Sequence, residues 1–194
     1  MKNSIQNTLQ KSQEAFTIWK KVSFEERQKP LYRLSELLLE RKEELGKIIT
    51  MEMNKPIAQS IAEIEKSAGL CAYYAKAENV LKSEKIETEH QISEVHHEAM
   101  GVILGIMPWN FPFWQVLRFA VPAVLGGNTV ILKHASICEK SGNTIQQLFE
   151  EAGFPEAVFT HAVVSHNEIE EMIESPIIKG VSLTGSEAAG RKIA

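Results

Sequence analysis

Short β-rich runs alternate with helical segments throughout the second half of the sequence. The β-rich runs are GVILGI (101–106), NTVILK (128–133), AVFTHAVV (157–164) and IKGVSLT (178–184). The helical segments that separate and follow them are PFWQVLRFAVPAVL (112–125), EKSGNTIQQLFEEAG (139–153), HNEIEEMIES (166–175) and SEAAGRKIA (186–194). Because successive strands joined through helices by short links lie parallel, this alternation predicts an α/β fold, a parallel sheet with helices on both faces.

The first half of the sequence has a different character. Apolar residues recur at helical spacing in three stretches, Ile5–Trp19, Leu31–Leu45 and Ile57–Cys71. A charged stretch follows, and QISEVHHEA (91–99) then alternates loosely, which predicts an exposed strand. We therefore expect a helical segment over residues 1–100 and a sheet domain over residues 101–194.

The composition argues against several classes of protein. The net charge is −4 without a basic stripe, which argues against nucleic-acid binding. The longest apolar stretch, Phe119–Leu125, is too short to span a bilayer, and no signal-peptide pattern is present. The histidines lack the spacing of a metal site, and the two cysteines lie in no paired motif, as in proteins of a reducing compartment. These features predict a cytoplasmic protein that contacts neither membrane nor nucleic acid and holds no metal.

Three turns that follow predicted strands carry the candidate functional residues. They are Met107-Pro108-Trp109-Asn110, Lys133-His134-Ala135-Ser136 and Thr184-Gly185-Ser186. The carboxyl ends of parallel strands share one edge of a sheet, where such folds bind ligands. Two of the turns also have a plainer interpretation, since Ser186 is a common helix N-cap and Lys133 can be a solvated charge. The residues alone predict an α/β domain and favour nucleotide binding, but they indicate no particular reaction.

Taken together, these motifs resemble the aldehyde dehydrogenase family. PWNFP after a strand, VILKHAS one unit later, then EEAGFPEAVF and SLTGSEAAGRKIA follow the order and spacing of that family, with most similarity to its succinate-semialdehyde dehydrogenase branch. The resemblance implies a Rossmann-like NAD(P)-binding domain, preceded by helices and the start of oligomerisation strands. It also implies oxidation of an aldehyde to a carboxylic acid, in a parent enzyme that is a homodimer or homotetramer.

The resemblance assigns roles to individual residues. Asn110 is expected to stabilise the oxyanion of the tetrahedral intermediate through its amide N–H. The residues expected at the cofactor are Trp109, Asn110, Lys133, His134, Ala135, Ser136, Gly185 and Ser186. Because Ser136 stands where many NAD-preferring relatives have glutamate, the cofactor is expected to be NADP or NAD, with a lean towards NADP. Glu187 lies unfavourably close to the expected pyrophosphate.

Arg118 and Trp114 are the candidate substrate residues. Arginine in so apolar a helix needs a partner, which is either a carboxylate from the C-terminal region of a longer enzyme, solvent, or the distal carboxylate of a short semialdehyde. In the succinate-semialdehyde dehydrogenases an arginine at this offset from PWNFP binds that carboxylate. The resemblance therefore favours succinate semialdehyde as the substrate.

The family's nucleophilic cysteine and general-base glutamate match nothing in this chain. Neither Cys71 nor Cys138 lies in the nucleophile's motif. We therefore expect an N-terminal part of a longer enzyme, inactive by itself. A non-catalytic module that binds a nucleotide or a protein partner is the alternative.

Overall fold

The computed structural model describes residues 2–78 and 81–193. The helices are α1 (Lys2–Trp19), α2 (Phe24–Glu40), α3 (Lys42–Met53), α4 (Ile57–Ala75), α5 (Trp114–Leu125), α6 (Glu139–Glu151), α7 (His166–Glu174) and α8 (Glu187–Ile193). The strands are β1 (Glu84–Lys85), β2 (Glu94–Val95), β3 (Val102–Met107), β4 (Thr129–His134), β5 (Phe159–His161) and β6 (Ile178–Leu183). A short 3-10 helix, Ser136–Cys138, links β4 to α6.

The main sheet has the strand order β5-β4-β3-β6, and its strands are all parallel. The chain moves outward from β3 through β4 to β5, and then returns to place β6 on the other side of β3. The predicted parallel α/β sheet is confirmed. This order is that of the first strands of a Rossmann-type sheet, whose ligand crevice opens where the order reverses, here between β3 and β6.

Helices cover both faces of this sheet because its strand residues alternate between two apolar clusters. Val130 and Leu132 pack with α2–α6, whereas Ile131 between them packs with α1 and α7. The helical first part thus shares its core with the sheet, and the Nε1–H of Trp19 in α1 donates to the carbonyl of Val124 in α5 at 2.8 Å. The division into domains 1–100 and 101–194 stays a prediction.

Several element bounds differ from those expected. The Leu31–Leu45 stretch is two helices rather than one, because the backbone of Arg41 leaves helical geometry between α2 and α3. Segment 157–164 contributes only three strand residues, Phe159–His161, and it is preceded by Ala157 at a φ of +63°. Of segment 91–99, only Glu94–Val95 pairs as a strand, with β1. In the described parts of the chain, no helix has the length and apolar character needed to cross a membrane.

Candidate functional site

A cleft of about 980 Å³ opens at the reversal of strand order. Its walls are the end of β3 (Ile106–Trp109), the end of β4 (Lys133 and Ala135), the turn after β6 (Leu183–Ser186) and residues of α7 and α8. Backbone hydrogen bonds hold the turns together: the N–H of Ala135 donates to Met107 O, and that of Thr184 to Ile106 O, both at 3.1 Å. The three turns predicted to share one edge therefore do so.

Five of the predicted cofactor residues line this cleft. They are Trp109, Lys133, Ala135, Gly185 and Ser186. Trp109 has about half of its surface exposed (54%), so its indole is available to a ligand. Partial burial lowers the pKa of Lys133. Apolar walls with a few polar groups are typical of a cofactor pocket, and the volume is in the usual range.

In the turn after β6, Ser186 is both a helix cap and part of the cleft wall. The hydroxyl of Ser186 accepts a hydrogen bond from the N–H of Ala189 at 3.2 Å, so Ser186 caps α8 while it also lines the cleft. The carboxylate of Glu187 accepts from Arg191 at 2.7 and 3.0 Å. Because Glu187 is not part of the cleft wall and is paired with Arg191, the expected conflict with a pyrophosphate is reduced.

His134 lies elsewhere than predicted, because it is buried on the other face of the sheet. Successive strand residues point to opposite faces, so Lys133 faces the cleft and His134 faces α5. Nδ1 of His134 accepts from the N–H of Ala135 at 2.9 Å, which leaves the proton on Nε2, 3.0 Å from the carbonyl of Pro112. Burial lowers its pKa, which favours this neutral form. His134 therefore fixes the PWNFP segment and makes no part of the cleft wall.

Ser136 and Asn110 both lie outside the cleft wall and are exposed. Ser136 begins the 3-10 helix, one residue beyond the cleft-lining Ala135. Asn110 lies one residue beyond Trp109, and its backbone carbonyl is 3.3 Å from Nζ of Lys55. Both residues are therefore chain neighbours of residues that line the cleft.

Sequence reasoning missed Lys55 and Glu63. Glu63 is buried in α4, forms an ion pair with Lys55 at 2.5 Å, and accepts from the N–H groups of Phe113 and Trp114. The signal in the sequence was the helical spacing of the polar residues Ser60, Glu63 and Ser67, and the structure shows that all three are buried. The Glu63 contacts also explain why α5 begins at Trp114 and not at the expected Pro112, since they cap the helix at that point.

Trp114 and Arg118 both lie on the outer side of α5. Arg118 is exposed and donates to Oε1 of Gln115 at 3.0 Å, so solvent, one of the three expected partners, is open to it. The apolar face of α5 is formed by other residues, Val116, Leu117, Ala120, Val121 and Val124. Nζ of Lys66 in α4 lies 3.8 Å from the centre of the Trp114 ring. One face of the Trp114 ring is therefore covered by a cation.

A family comparison identifies the chain. The model of the aldehyde dehydrogenase family matches residues 1–194. The chain belongs to the aldehyde dehydrogenase family. The resemblance carried by PWNFP and the other motifs is confirmed.

Relatives within the family cover most of this chain. It is 40% identical over 184 residues to a probable NADP(+) succinate-semialdehyde dehydrogenase of Synechocystis sp., a match that covers 94% of this chain and 40% of that protein. It is 38% identical over 187 residues to the NADP(+) succinate-semialdehyde dehydrogenase of Deinococcus radiodurans, covering 96% of this chain and 39% of the relative. This aldehyde dehydrogenase chain thus spans about two fifths of the length of these relatives and corresponds to their N-terminal portion.

Solved structures agree on the fold. Succinic semialdehyde dehydrogenase from Streptococcus pyogenes, in complex with NADP+, superposes with a TM-score of 0.96 at 31% identity, over 100% of this chain and 43% of that one. NADP-dependent glyceraldehyde-3-phosphate dehydrogenase from Bacillus halodurans, complexed with NADP, gives 0.93 at 28% identity, over 100% and 42%. The expected fold class, that of the aldehyde dehydrogenases, is confirmed.

The surroundings of both cysteines disfavour the thiolate form. Cys71 and Cys138 are buried, and burial raises the pKa of each thiol to about 12. A thiolate attacks a carbonyl readily only when its pKa is lowered. Across residues 2–78 and 81–193, no three His, Cys, Asp or Glu side chains are grouped so as to hold a metal ion.

Proposed function

We propose that this chain is the N-terminal, cofactor-binding part of an NAD(P)-dependent enzyme that oxidises succinate semialdehyde to the corresponding acid. The observation that carries the proposal is the cleft between β3 and β6, lined by Trp109, Lys133 and Ser186. It lies where Rossmann-type sheets bind dinucleotides. Two relatives are named as succinate-semialdehyde dehydrogenases of NADP(+), which supports the same assignment for this chain.

The residues of the cleft fit an NAD(P) molecule. Lys133 supplies a cation at the end of β4, and Ser186 supplies a hydroxyl at the turn after β6. A side-chain carbon added to Gly185 would come no closer than 3.6 Å to this chain's own atoms. The chain's own packing therefore does not demand glycine there, and its absence of a side chain leaves room for a ligand's phosphate to approach the backbone. When bound, the cofactor accepts hydride from the substrate carbon.

NADP is the cofactor we favour. Ser136 is exposed and neutral beside the half-buried cation Lys133, and a carboxylate at residue 136 would repel a 2′-phosphate. The Synechocystis and Deinococcus relatives are named for NADP(+), and a relative from Escherichia coli is named for NAD(P)+. Dual use with preference for NADP agrees with these names.

Asn110 is the residue of this chain that we place at the reacting carbonyl. A donor aimed at the position where an oxyanion develops typically contributes about 100- to 1,000-fold to kcat. In the proposed enzyme the nucleophilic cysteine and the base belong to sequence outside residues 1–194. Asn110 would then donate to the oxygen while Trp109, its neighbour, lines the cofactor cleft.

We also propose a homodimeric or homotetrameric, cytoplasmic parent enzyme. The β1–β2 ribbon supports an interface, because Ile86 and Ile92, in the segment that joins its two strands, are 48% and 79% exposed. Apolar side chains exposed on a short ribbon are covered readily by a second subunit. The molar mass of the full-length enzyme in solution, from light scattering, tests this assembly.

Arg118 provides the test of the substrate. Trp114 and Arg118 lie one helical turn apart on the outer side of α5, so a semialdehyde whose carboxylate meets Arg118 extends along this surface towards the PWNFP segment. In the full-length enzyme, Arg118→Ala removes a charged hydrogen-bond partner of the substrate. It should lower kcat/KM for succinate semialdehyde roughly 30-fold, which corresponds to about 2 kcal/mol of transition-state free energy. An uncharged aldehyde of similar length should be affected little.

Arg33→Ala is the matched control, since Arg33 is an exposed arginine of α2 that pairs with Glu36 and Glu40. It should leave both substrates unaffected. Equal losses for the charged and uncharged aldehydes in Arg118→Ala would show that Arg118 is structural, and the succinate semialdehyde assignment would lose its support from this chain.

A further inference from the structure

A buried ion pair lies beneath the segment that carries Asn110. Nζ of Lys55, in the turn between α3 and α4, is 2.5 Å from Oε2 of Glu63 in α4. The two side chains are only 9% and 1% exposed. Burying charge is costly unless the pair also satisfies its remaining hydrogen-bonding capacity. The other contacts of this pair therefore indicate what it does.

The second carboxylate oxygen of Glu63 caps α5. Oε1 accepts from the N–H of Phe113 at 2.9 Å and from that of Trp114 at 3.0 Å. These are among the first N–H groups of the helix, which have no partner within it, and a negative charge is favoured there. Phe113 occupies the N-cap position and makes no side-chain cap of its own. A residue of α4 thus performs the capping.

Lys55 contacts the other end of the same segment. Its Nζ is 3.3 Å from the carbonyl oxygen of Asn110 and 3.9 Å from the centre of the Phe111 ring. The Lys55–Glu63 pair therefore contacts the backbone on both sides of Pro112. The direction in which the side-chain amide of Asn110 points therefore depends on backbone that these contacts fix.

We propose that Lys55 and Glu63 act together as positioning residues for Asn110, through the Asn110 carbonyl and the Phe113 and Trp114 amides. The inference rests on the proposed function, in which Asn110 donates to the oxyanion. Because the oxyanion forms only during the reaction, the pair would affect kcat and not substrate binding. A donor misplaced by about 1 Å can cost roughly 100-fold in rate.

The chain provides a matched control pair. Lys42 in α3 and Glu65 in α4 form a second ion pair at 2.6 Å, which also links α4 to the segment that precedes it. Both side chains are substantially exposed, at 38% and 47%. Glu65→Gln therefore makes the same chemical change on the same helix, two residues from Glu63.

The first measurement is on this chain alone and does not involve activity. Amide hydrogen exchange at Phe113 and Trp114 should be at least about tenfold faster in Lys55→Met and in Glu63→Gln than in Glu65→Gln, because the cap opens more often. Unchanged exchange in both variants would overturn the inference.

The second measurement is kinetic and uses the full-length enzyme. Lys55→Met should lower kcat roughly 10- to 100-fold and leave KM for the aldehyde within about twofold, since only the placement of the donor changes. The double variant Lys55→Met/Glu63→Gln removes both charges and leaves neither unpaired, which guards against simple failure to fold. Its melting temperature should approach that of the parent while its kcat stays low. A kcat that recovers together with the melting temperature would mean that the pair is only structural.

Asn110→Ala separates this inference from the proposed function. If Asn110→Ala leaves kcat unchanged, Asn110 is not the oxyanion donor, and both the proposed role and the inference fail. If Asn110→Ala lowers kcat but Lys55→Met behaves like Glu65→Gln, the donor role stands and the positioning inference alone fails.

Discussion

Buried His134 and half-buried His161 should make this fold sensitive to mild acid. The ring of His161 fills the space over Gly142, where a side-chain carbon would come within 2.4 Å of Nε2. Its Nδ1 is 2.9 Å from Oδ1 of Asn143. Burial, with a smaller contribution from His134, lowers the pKa of His161 to about 4. Burial lowers the pKa of His134 as well.

The direction of the pH dependence follows from the lowered pKa. A histidine whose pKa is lowered in the folded state contributes stability that is complete above its unfolded pKa of about 6.5 and is lost as the pH falls towards the folded value. For His161 this window runs from about 6.5 down to about 4. Each pH unit within it is worth at most about 1.4 kcal/mol of unfolding free energy for one proton.

The expected loss for His161 is smaller than this limit because its side chain is partly exposed. We reduce the limit by about half for solvent screening. The linkage of His161 protonation to unfolding should then lower the unfolding free energy by about 1 kcal/mol between pH 7 and pH 5. His134 acts in the same direction. A loss of this size is a substantial part of the roughly 5–15 kcal/mol that stabilises a typical domain.

Urea unfolding at a series of pH values measures the effect. His161→Phe keeps an aromatic ring over Gly142 and removes the titrating group, so its unfolding free energy should fall about 1 kcal/mol less than that of the parent chain between pH 7 and pH 5. His97→Gln, at an exposed residue, is the control. If the parent and His161→Phe lose stability in parallel, the assignment of the pH dependence to His161 is refuted.

Three further predictions concern packing, cofactor choice and catalysis. Gly105→Ala in β3 should destabilise the chain by about 1–3 kcal/mol in urea unfolding, because the new carbon would lie 2.4 Å from the Phe119 ring. Gly69→Ala, in α4 with no atom within 4 Å, should instead stabilise it by about 0.5–1 kcal/mol; equal effects would contradict the packing argument. In the full-length enzyme, Ser136→Glu should shift the kcat/KM ratio towards NAD by about tenfold or more, and an unchanged ratio would remove Ser136 from the cofactor site. The purified 194-residue chain should form no NAD(P)H from an aldehyde, because both of its cysteines are buried; turnover abolished by replacing either one would disprove this.

Much of the fold was predictable because it depends on local periodicity. The strands β3, β4 and β6 begin and end within one residue of the expected bounds, and their period of two and buried apolar content are visible in the sequence. Gly126 and Gly127 end α5 in a helix-terminating turn, with Gly127 at a φ of +86°. Segment 157–164 was overestimated because its apolar content is that of a longer strand, whereas only Phe159–His161 pairs with β4.

The candidate site was less predictable, because the contacts that shape it join residues far apart in sequence. His134 follows a cleft residue in the sequence, yet the alternation of β4 places it behind the sheet. Lys55 and Glu63 belong to a helical region that carries no motif of the site. Arg118 lies in a strongly apolar helix, and only the packing of α5 shows that this position faces outward.

The PWNFP segment shows why a motif does not by itself produce a geometry. His134 donates to the carbonyl of Pro112 from the sheet side, and Glu63 accepts from the next two N–H groups from the helical side. Because both partners are buried and hold consecutive backbone groups, the chain from Pro112 to Trp114 has little freedom to shift. Asn110 precedes this fixed stretch and is itself exposed. In the proposed role, this fixed stretch would hold the backbone from which the Asn110 amide donates, as a preorganised oxyanion donor requires.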